Sequence, residues 1–392
     1  MRLLHTSDWH VGKAIRGRSR AAEHEAVLVE IAEIADRTSV DLVVVAGDLF
    51  DTAAPSAESE RIVYQALVRL AAGGRPVVVV AGNHDSAARL GAVALLSAAS
   101  GIHVASAIRA PDDGGVLELD VDGEKALVAL LPFPSQRYVV TADVLMGTAD
   151  ASDATAHYRD RVTRIIGAVT QGFSAGTVNL LVAHLTVVGG ALGGGERGAH
   201  TIFDYWVPAT AFPSAAQYVA LGHLHRAQRL DGPAPLHYCG SPLQLDFSET
   251  SNQPSVNLIE VKAGLPAKVD AVPLQSGVRL RTLRGTLDQL RAHVDTSTDH
   301  LQLVLDEPPR VGLADEAREL FPTAVEVVLA GRDPAVSDKD ESAAPSDRLR
   351  RTPHDLFADY LNEAEAGDER VLALFDQLAD ELDQPDAVAV AS

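Results

Sequence analysis

Five short segments of the sequence are rich in side chains that bind divalent metal ions. They are Asp8-Trp9-His10, Gly47-Asp48, Gly82-Asn83-His84-Asp85, His184 and Gly222-His223-Leu224-His225. Each follows an apolar stretch that predicts a β-strand. In open α/β sheets, ligands bind beyond the carboxyl ends of the strands, so the five segments are predicted to meet at one site.

The candidate metal ligands form a mixed set of oxygen and nitrogen donors. They are Asp8, His10, Asp48, Asn83, His184, His223 and His225. Such a set suits manganese, iron or zinc better than calcium, which prefers oxygen ligands alone. The set is larger than one ion needs, so two metals are predicted, bridged by one carboxylate, most naturally that of Asp48.

A pair of metal ions has a defined use in phosphate chemistry. Two metals roughly 3.5–4 Å apart can activate water and stabilise both the attacking and the leaving oxygen of a phosphate ester. The glycines before Asp48, Asn83 and His223 would allow the sharp turns and close backbone approaches that such a site requires. The sequence therefore predicts a dinuclear phosphodiesterase.

His84 is the candidate catalytic residue. A residue next to a metal ligand on a tight turn can point at the substrate instead of the metal. We expect His84 to stabilise the transition state or to donate a proton to the leaving oxygen. Two roles stay open for Asp85, which could orient the His84 ring or cap the following helix.

Each segment also has an ordinary structural explanation when it is taken alone. Asp-x-His occurs by chance, Gly-Asp is common turn chemistry, and Gly-His-Leu-His could be a loop without a ligand. Their common order, residue types and strand-end positions favour the metal site. Six other histidines match no such pattern and are predicted to be structural or at the surface, with His200 having the best claim to a role: His5, His24, His103, His157, His200 and His237.

The Gly-rich segment 189–195 is not a phosphate-binding P-loop, because it lacks the Gly-Lys-Ser/Thr ending. A flexible substrate loop and a plain linker both remain open for it. The single cysteine, Cys239, is predicted to be buried. One cysteine excludes an internal disulfide and a thiolate metal cluster.

The elements that would position the site follow an alternating pattern. Near-continuous valine runs at residues 41–46 and 76–81 predict parallel strands covered on both faces. Helices are predicted at residues 20–37, 56–72 and 86–97, with Ser56 as an N-cap, which gives βαβ units. Further along, the pattern predicts a hairpin at 116–131, a helix at 154–170, strands at 178–183 and 218–221, and closing strands at 256–261 and 268–272.

The domain organisation is predicted from changes in this pattern. Residues 1–275 would form the main domain, and a βαβαβ run would form a small domain at 276–332. A polar linker is predicted at 333–352, two helices with apolar stripes at 353–383, and a disordered tail at 384–392. The two helices could pack on their own chain or bind a partner, and their place behind the linker favours the partner.

The composition bears on the cellular location of the protein. Hydrophobic residues make up 46% of the 392 residues, which fits a globular protein. No apolar run approaches the roughly 18–20 residues of a membrane span, and the first residues lack a signal-peptide pattern. The expected location is therefore the cytoplasm.

The net charge of −21 does not favour contact with nucleic acid, because phosphates require local positive charge. A nuclease of this composition would rely on its metals, on a few arginines or on a partner; alternatively, the acidity is a solubilising background. The candidate DNA-contacting residues are Arg16, Arg18, Arg20, Arg89 and Arg137.

The five segments together resemble the calcineurin-like metallophosphoesterases. Within that superfamily, His5-Thr6-Ser7-Asp8-Trp9-His10-Val11-Gly12, Gly47-Asp48-Leu49-Phe50-Asp51, Gly222-His223-Leu224-His225 and Tyr238-Cys239-Gly240-Ser241-Pro242-Leu243-Gln244-Leu245-Asp246-Phe247 resemble the SbcD-like nucleases. The resemblance covers most of the chain. It implies an α/β fold: a two-sheet metallophosphoesterase sandwich flanked by helices, with a small α+β capping domain and C-terminal helices that grip the coiled-coil base of an SbcC-type ATPase.

The resemblance also implies the roles of individual residues. Asp8, His10, Asp48 and His225 would hold one metal, and Asp48, Asn83, His184 and His223 the other. His84 would be the catalytic histidine. The archaeal and eukaryotic relatives place a histidine at the position of Asp51, so this residue is assigned no role.

The activity implied by the resemblance is cleavage of DNA with manganese. SbcD-like nucleases act as a 3′-to-5′ exonuclease on duplex ends and as an endonuclease on single strands and hairpins. The implied assembly is a homodimer within a heterotetramer with the ATPase, acting in DNA repair and recombination.

Two other functions are compatible with parts of the sequence. The same site could hydrolyse small phosphate esters, but such an enzyme needs neither a capping unit nor trailing helices. The chain could also be a scaffold that binds DNA and the ATPase, but the complete set of metal ligands argues against a loss of catalysis.

Overall fold

The computed structural model describes residues 1–135, 139, 158–196, 206–292, 298–330 and 371. The chain divides into two compact units, Met1–Ala330 and Gly331–Ser392. Val371 is the only described residue of the second unit. The predicted linker, partner helices and tail otherwise lie outside the described residues, as do residues 154–157 of a predicted helix. The same holds for Arg137, His157 and His200.

Two six-stranded sheets form most of the first unit. The first has the order β14-β13-β1-β2-β3-β4 and the second the order β11-β12-β10-β7-β6-β5. In chain order the strands of these sheets are β1 Arg2–Thr6, β2 Leu42–Val45, β3 Val77–Val80, β4 Ile102–Ala105, β5 Val116–Val121, β6 Glu124–Leu131, β7 Val178–His184, β10 Tyr218–Gly222, β11 Gln228–Leu230, β12 Leu236–Tyr238, β13 Ser255–Glu260 and β14 Lys268–Pro273. A separate pair consists of β8 Thr186–Val187 and β9 Trp206–Val207.

The central strands of each sheet run parallel. β1 pairs in parallel with β2, β2 with β3 and β3 with β4. In the second sheet, β6, β7, β10 and β12 are parallel neighbours. Their carboxyl ends therefore bring several loops to a common edge of each sheet, which is the arrangement that the sequence predicts.

The two sheets pack face to face. One hydrophobic cluster joins Val44 and Val78 of the first sheet to Val128, Leu180 and Val182 of the second. Alternate residues of the first sheet face the flanking helices instead, which explains the valine runs: all four residues of Val77–Val80 are buried. Burial of each such side chain contributes about 1.5–3 kcal/mol.

Within the described residues, four helices flank the sandwich: α1 Ala21–Arg37, α2 Ala57–Leu70, α3 Ala87–Ser97 and α4 Tyr158–Val169. Ser56 caps α2 as predicted, because its hydroxyl accepts the Ser59 backbone N–H at 3.2 Å. The helices α1 and α2 cover the first sheet, and α4 covers the second. The predicted two-sheet sandwich flanked by helices is confirmed.

A three-stranded parallel sheet follows in the same unit, in the order β15-β16-β17. Its elements alternate as βαβαβ: β15 Leu280–Gly285, α5 Leu287–Arg291, β16 His300–Leu305, α6 Leu313–Leu320 and β17 Ala324–Leu329. It has its own hydrophobic cluster, which includes Leu287, Leu303 and Leu313. The predicted element order is confirmed, and the domain boundary at residue 276 stays a prediction.

Sequence patterns missed several short strands. β4 carries a histidine within four residues, and β11 and β12 have three residues each. Such runs are too short to show an alternating apolar period. In the described ranges, no helix is both long and apolar enough to cross a membrane.

Arg20 links α1 to the three-stranded sheet through buried polar contacts. Its guanidinium donates to the carbonyl oxygens of Gln244 and Val278 and pairs with Glu23, at 2.7 Å between Nη2 and Oε2. The other oxygen of Glu23 lies 2.9 Å from Nε2 of His300 in β16. Since Arg20 is only 1% exposed, its interpretation as a DNA-contacting residue is wrong.

Arg20→Ala is expected to lower the free energy of unfolding by about 3–5 kcal/mol, because the substitution leaves the Glu23 carboxylate and two buried carbonyls without their donor. Chemical denaturation of the metal-free protein measures this loss.

The matched control is Arg61→Ala, which removes an exposed ion pair with Glu25. That change is expected to stay within about 0.5 kcal/mol of the unchanged protein. Equal losses for the two variants would contradict a structural role for the Arg20 contacts.

Candidate metal centre

All seven candidate ligands and His84 lie together where the carboxyl ends of five strands meet. Strands β1, β2 and β3 supply the loops from the first sheet, and β7 and β10 supply those from the second. The aspartates and histidines of this group are all buried, with exposures between 0% and 8%. The site thus lies between the two sheets and draws on both.

The carboxylate of Asp48 is central to the cluster. Its Oδ2 lies 3.4 Å from Nε2 of His10 and 3.4 Å from Nε2 of His184. Its Oδ1 accepts the backbone N–H of His84 at 2.8 Å. Asp48 therefore stands between the two groups of ligands, as a bridging carboxylate would.

The remaining ligands divide into two groups around Asp48. Ligand atoms of Asp8, His10 and His225 lie within 4.8 Å of one another, as do those of Asp48, His184 and His223. Asn83 belongs with the second group, because its Oδ1 lies 2.9 Å from Nε2 of His184 and 2.8 Å from Nδ1 of His223. The grouping is the one that the family resemblance implies.

His84 also lies within reach of a metal. One of its atoms lies within 4.8 Å of ligand atoms of His10 and Asp48. Its ring meets that of His10 edge-on, with centroids 4.6 Å apart. The geometry alone is therefore compatible with a ligand or with a residue that acts on substrate.

The backbone at four candidate ligands adopts positive φ angles. These are +52° at Asp8, +46° at His10, +51° at Asp48 and +101° at His223. Non-glycine residues in such conformations cost roughly 1–3 kcal/mol each and cluster at functional sites. The fold therefore accepts strain to aim these side chains at one point.

The three glycines that precede candidate ligands let the loops approach closely enough. A Cβ atom on Gly47 would overlap the ring of His184. A Cβ atom on Gly82 would overlap the carboxylate and backbone of Asp48, and one on Gly222 would overlap the carbonyl of Ala46. Any larger residue would push the strand ends apart. The predicted role of these glycines in close approach is confirmed.

The ring nitrogens that face away from the centre have fixed partners. Nδ1 of His184 donates to the carbonyl of Ala46 at 2.8 Å, and Nδ1 of His84 donates to the carbonyl of Asp51 at 2.7 Å. A carbonyl can only accept, so Nδ1 carries a proton in both rings. Once the second proton of His184 is displaced, its Nε2 has a lone pair for a metal.

The electrostatics of the centre favour a bound cation. Burial lowers the pKa of His184, but the charges of Asp48 and Asp8 together with hydrogen bonds to Asp48 and Ala46 outweigh burial and raise this pKa to about 9. Burial likewise lowers the pKa of His225, but the hydrogen bond with Glu249 and the charges of Glu249, Asp8 and Glu196 together raise it to about 9. The carboxylates stabilise positive charge on the neighbouring imidazoles, which are therefore protonated. A divalent cation would supply this positive charge in place of the protons.

Two further groups support this fit. Burial raises the pKa of Asp8 to about 6, and burial lowers the pKa of His10 to about 4, so His10 is a neutral imidazole at pH 7. Its Nε2 is buried without a hydrogen-bond partner. A buried nitrogen of this kind normally has a partner, and a metal ion next to Asp48 would be one.

Asp51 and Asp85 have roles that differ from those predicted. Asp85 accepts the backbone N–H groups of Leu49, Phe50 and Gly82, so it joins the two loops that carry Asp48 and Asn83. Neither prediction for Asp85 is right, since Ser86 caps α3 and the Asp51 carbonyl holds His84. Asp51 was assigned no role, yet its carboxylate also lies 3.7 Å from Nδ1 of His10.

The histidines predicted to be structural include His5, which is buried and lies 2.9 Å from the hydroxyl of Tyr218. Cys239 is buried as predicted. The end of the Gly-rich segment packs against the centre: Glu196 accepts N–H groups from Gly193 and Gly194, and its Oε1 accepts that of His225 at 3.0 Å.

The candidate DNA-contacting arginines differ in whether they form ion pairs within the protein. Arg16 pairs with Glu326 at 2.6 Å and Arg89 with Glu60 at 3.0 Å. Arg18 is exposed. Of the predicted set, Arg18 is therefore the described arginine best placed to meet an external anion.

Metal affinity is expected to rise with pH between about pH 6 and 8, by up to roughly tenfold per unit for each displaced proton. Both His184 and His225 have a pKa raised to about 9, so each carries a proton near neutral pH that a metal must displace. The gain should level off above pH 9. Calorimetric titration with Mn²⁺ in buffers of different ionisation enthalpy measures both the affinity and the protons released.

His103→Asn, which changes a histidine of β4 outside the cluster, should show the same pH dependence. An affinity that stays constant over this pH range would contradict displacement of protons from the two rings.

Comparison with known proteins extends the resemblance over the whole chain. Residues 1–128 match the family model of the calcineurin-like phosphoesterases. The chain is 32% identical over 401 aligned residues to the SbcD component of the SbcCD nuclease from Bacillus subtilis, covering 99% of this chain and 100% of that protein. The SbcD protein of Rhodobacter capsulatus is 32% identical over 382 residues, covering 91% and 94%. That of Escherichia coli K12 is 31% identical over 322 residues, covering 79% and 76%.

Proposed function

The chain belongs to the SbcD family of SbcCD nuclease subunits, and we propose that its buried metal centre hydrolyses DNA where the two six-stranded sheets meet. The protein is a phosphoester-hydrolysing nuclease subunit that depends on divalent metal. The observation that carries the proposal is the position of the Asp48 Oδ2 atom, 3.4 Å from a ring nitrogen of His10 and of His184.

Two metal ions are proposed, with manganese as the metal. Asp8, His10, Asp48 and His225 would hold one, and Asp48, Asn83, His184 and His223 would hold the other. When bound, such a pair activates water and offsets the negative charge that develops on the phosphate. The mixed oxygen and nitrogen ligands support manganese over calcium.

His84 is proposed to act on the substrate. Its Nδ1 donates to the carbonyl of Asp51 and its backbone N–H to Asp48, so the ring is held from two sides. Because Nδ1 is committed to Asp51, Nε2 is the atom that exchanges a proton with substrate. A protonated Nε2 would donate to the leaving oxygen as the bond from phosphorus breaks.

The assembly is proposed from the names of the relatives, which are subunits of SbcCD. We propose that this chain binds an SbcC-type ATPase through residues 353–383 and works as a homodimer within that complex. With a net charge of −21, the chain would gain from a partner that supplies positive surface to the DNA.

His84→Ala is expected to lower the rate of hairpin DNA cleavage with Mn²⁺ by roughly 10²–10⁴-fold, because a positioned proton donor is lost. Hydrolysis of a chromogenic phosphodiester should fall as well, while bound manganese stays near two ions per chain. Cleavage is measured on labelled hairpin and duplex substrates, and metal content by elemental analysis.

His103→Ala is the matched control and should leave both activities unchanged. A His84→Ala variant that lost one metal would show that His84 is a ligand. Cleavage of the small ester but not of hairpin DNA by the unchanged protein would overturn DNA as the substrate.

Deletion of residues 353–383 is expected to abolish co-purification with the ATPase and to leave hydrolysis of the chromogenic ester intact. The deletion should not affect hydrolysis, because the proposed metal ligands all precede residue 226 and the deleted segment contains none of them. Undiminished binding of the ATPase would show that the partner surface lies elsewhere.

A further inference from the structure

A short turn lies between a metal ligand and the three-stranded sheet. It is a 3-10 turn at Phe247–Glu249, capped by Asp246, whose carboxylate accepts the Ser248 N–H at 3.0 Å. The first and last residues of this turn contact different parts of the protein. Glu249 contacts His225, and Phe247 contacts the sheet.

The Glu249 side chain is fully buried against the ring of His225. Its Oε1 lies 2.7 Å from Nδ1 of that ring, and its Oε2 accepts the backbone N–H of Leu245 at 2.7 Å. We assign the proton of this contact to Nδ1 of His225, which leaves Nε2 as the nitrogen available to a metal. Gly195 closes over this contact, since a Cβ atom there would overlap Oε1 of Glu249.

The opposite side of the turn is fixed to the three-stranded sheet. Phe247, Ile15 and Leu280 form one buried cluster, with Val325 packed against it. The Oε1 atom of Gln244, just before the turn, accepts the backbone N–H of Leu280 at 2.7 Å. The first strand of the small sheet, β15, therefore supports the turn by both apolar and polar contacts.

We infer that Glu249 is a positioning residue for His225, and that packing of β15 against the turn holds Glu249 in place. The inference rests on the proposed function in one respect, that His225 is a metal ligand. A fixed acceptor on the outer ring nitrogen sets the tautomer and the ring orientation, and loss of such partners typically costs roughly 10–100-fold in metal affinity.

The second group of ligands provides an internal comparison. The outer nitrogen of His184 donates to the backbone carbonyl of Ala46 and not to a carboxylate. That contact joins the ends of β7 and β2 and does not involve the turn at Phe247–Glu249. Changes at Glu249 should therefore weaken one of two metal-binding events and leave the other near its original affinity.

The first experiment is a calorimetric titration of the full chain with Mn²⁺, comparing Glu249→Met and Glu249→Gln. Methionine fills the space without an oxygen acceptor and is expected to weaken one binding event by roughly 10–100-fold. Glutamine keeps one carbonyl acceptor, so the loss of Mn²⁺ affinity in Glu249→Gln should be smaller than in Glu249→Met. Thermal unfolding of each variant reports whether it folds, and His225→Ala identifies the affected event.

The second experiment tests the link to the sheet by a double-mutant cycle. Leu280→Ala should weaken the same binding event in the unchanged protein but not further in Glu249→Met, because the effect passes through Glu249. Leu303→Ala is the matched control: it removes the same atoms from a fully buried residue of β16 that packs in the cluster away from the turn. It should leave metal affinity unchanged.

The outcomes separate this inference from the proposed function. Fewer than two manganese ions per unchanged chain would overturn the dinuclear centre and with it the premise of the inference. Two ions bound equally well by the unchanged protein and a folded Glu249→Met variant would overturn the role of Glu249 alone. Additive losses for Leu280→Ala and Glu249→Met would overturn the link to the sheet.

Discussion

The centre depends on one constraint, the burial of the Asp48 carboxylate among imidazoles that lie on two different sheets. A buried anion is costly unless charges and hydrogen bonds compensate it. Asp48 meets both demands, because His10 and His184 approach one oxygen and the backbone N–H of His84 binds the other. Since His10 follows β1 and His184 ends β7, this single carboxylate ties the two layers together at the site.

Much of the fold and the whole candidate ligand set could be predicted from local patterns. The valine runs identify the parallel strands because both faces of those strands are buried, and the ligands follow the strands directly in sequence. Strand ends and polar residue types are local features, so a single sequence displays them. The assignment of individual ligands to one metal or the other still comes from the family resemblance, and the geometry agrees with that grouping.

The supporting residues could not be predicted, because their roles exist only in the folded state. Asp51 holds His84 through a backbone carbonyl, which any residue type would offer. Glu249 reaches His225 across 24 residues of chain, and no spacing rule connects them. Arginine is usually found at the surface, so the sequence gives no sign that Arg20 is buried. In the fold, Glu23 and two backbone carbonyls pair with its guanidinium.

The chain order of the candidate ligands limits when the centre can form. Arg2 pairs with Glu260 in the antiparallel ladder of β1 and β13, and the candidate ligands extend from Asp8 to His225. A nascent chain that ends before His223 lacks two of the ligands and also lacks a neighbour on one side of its first strand. The complete set of candidate ligands therefore exists only after most of the sandwich has been synthesised.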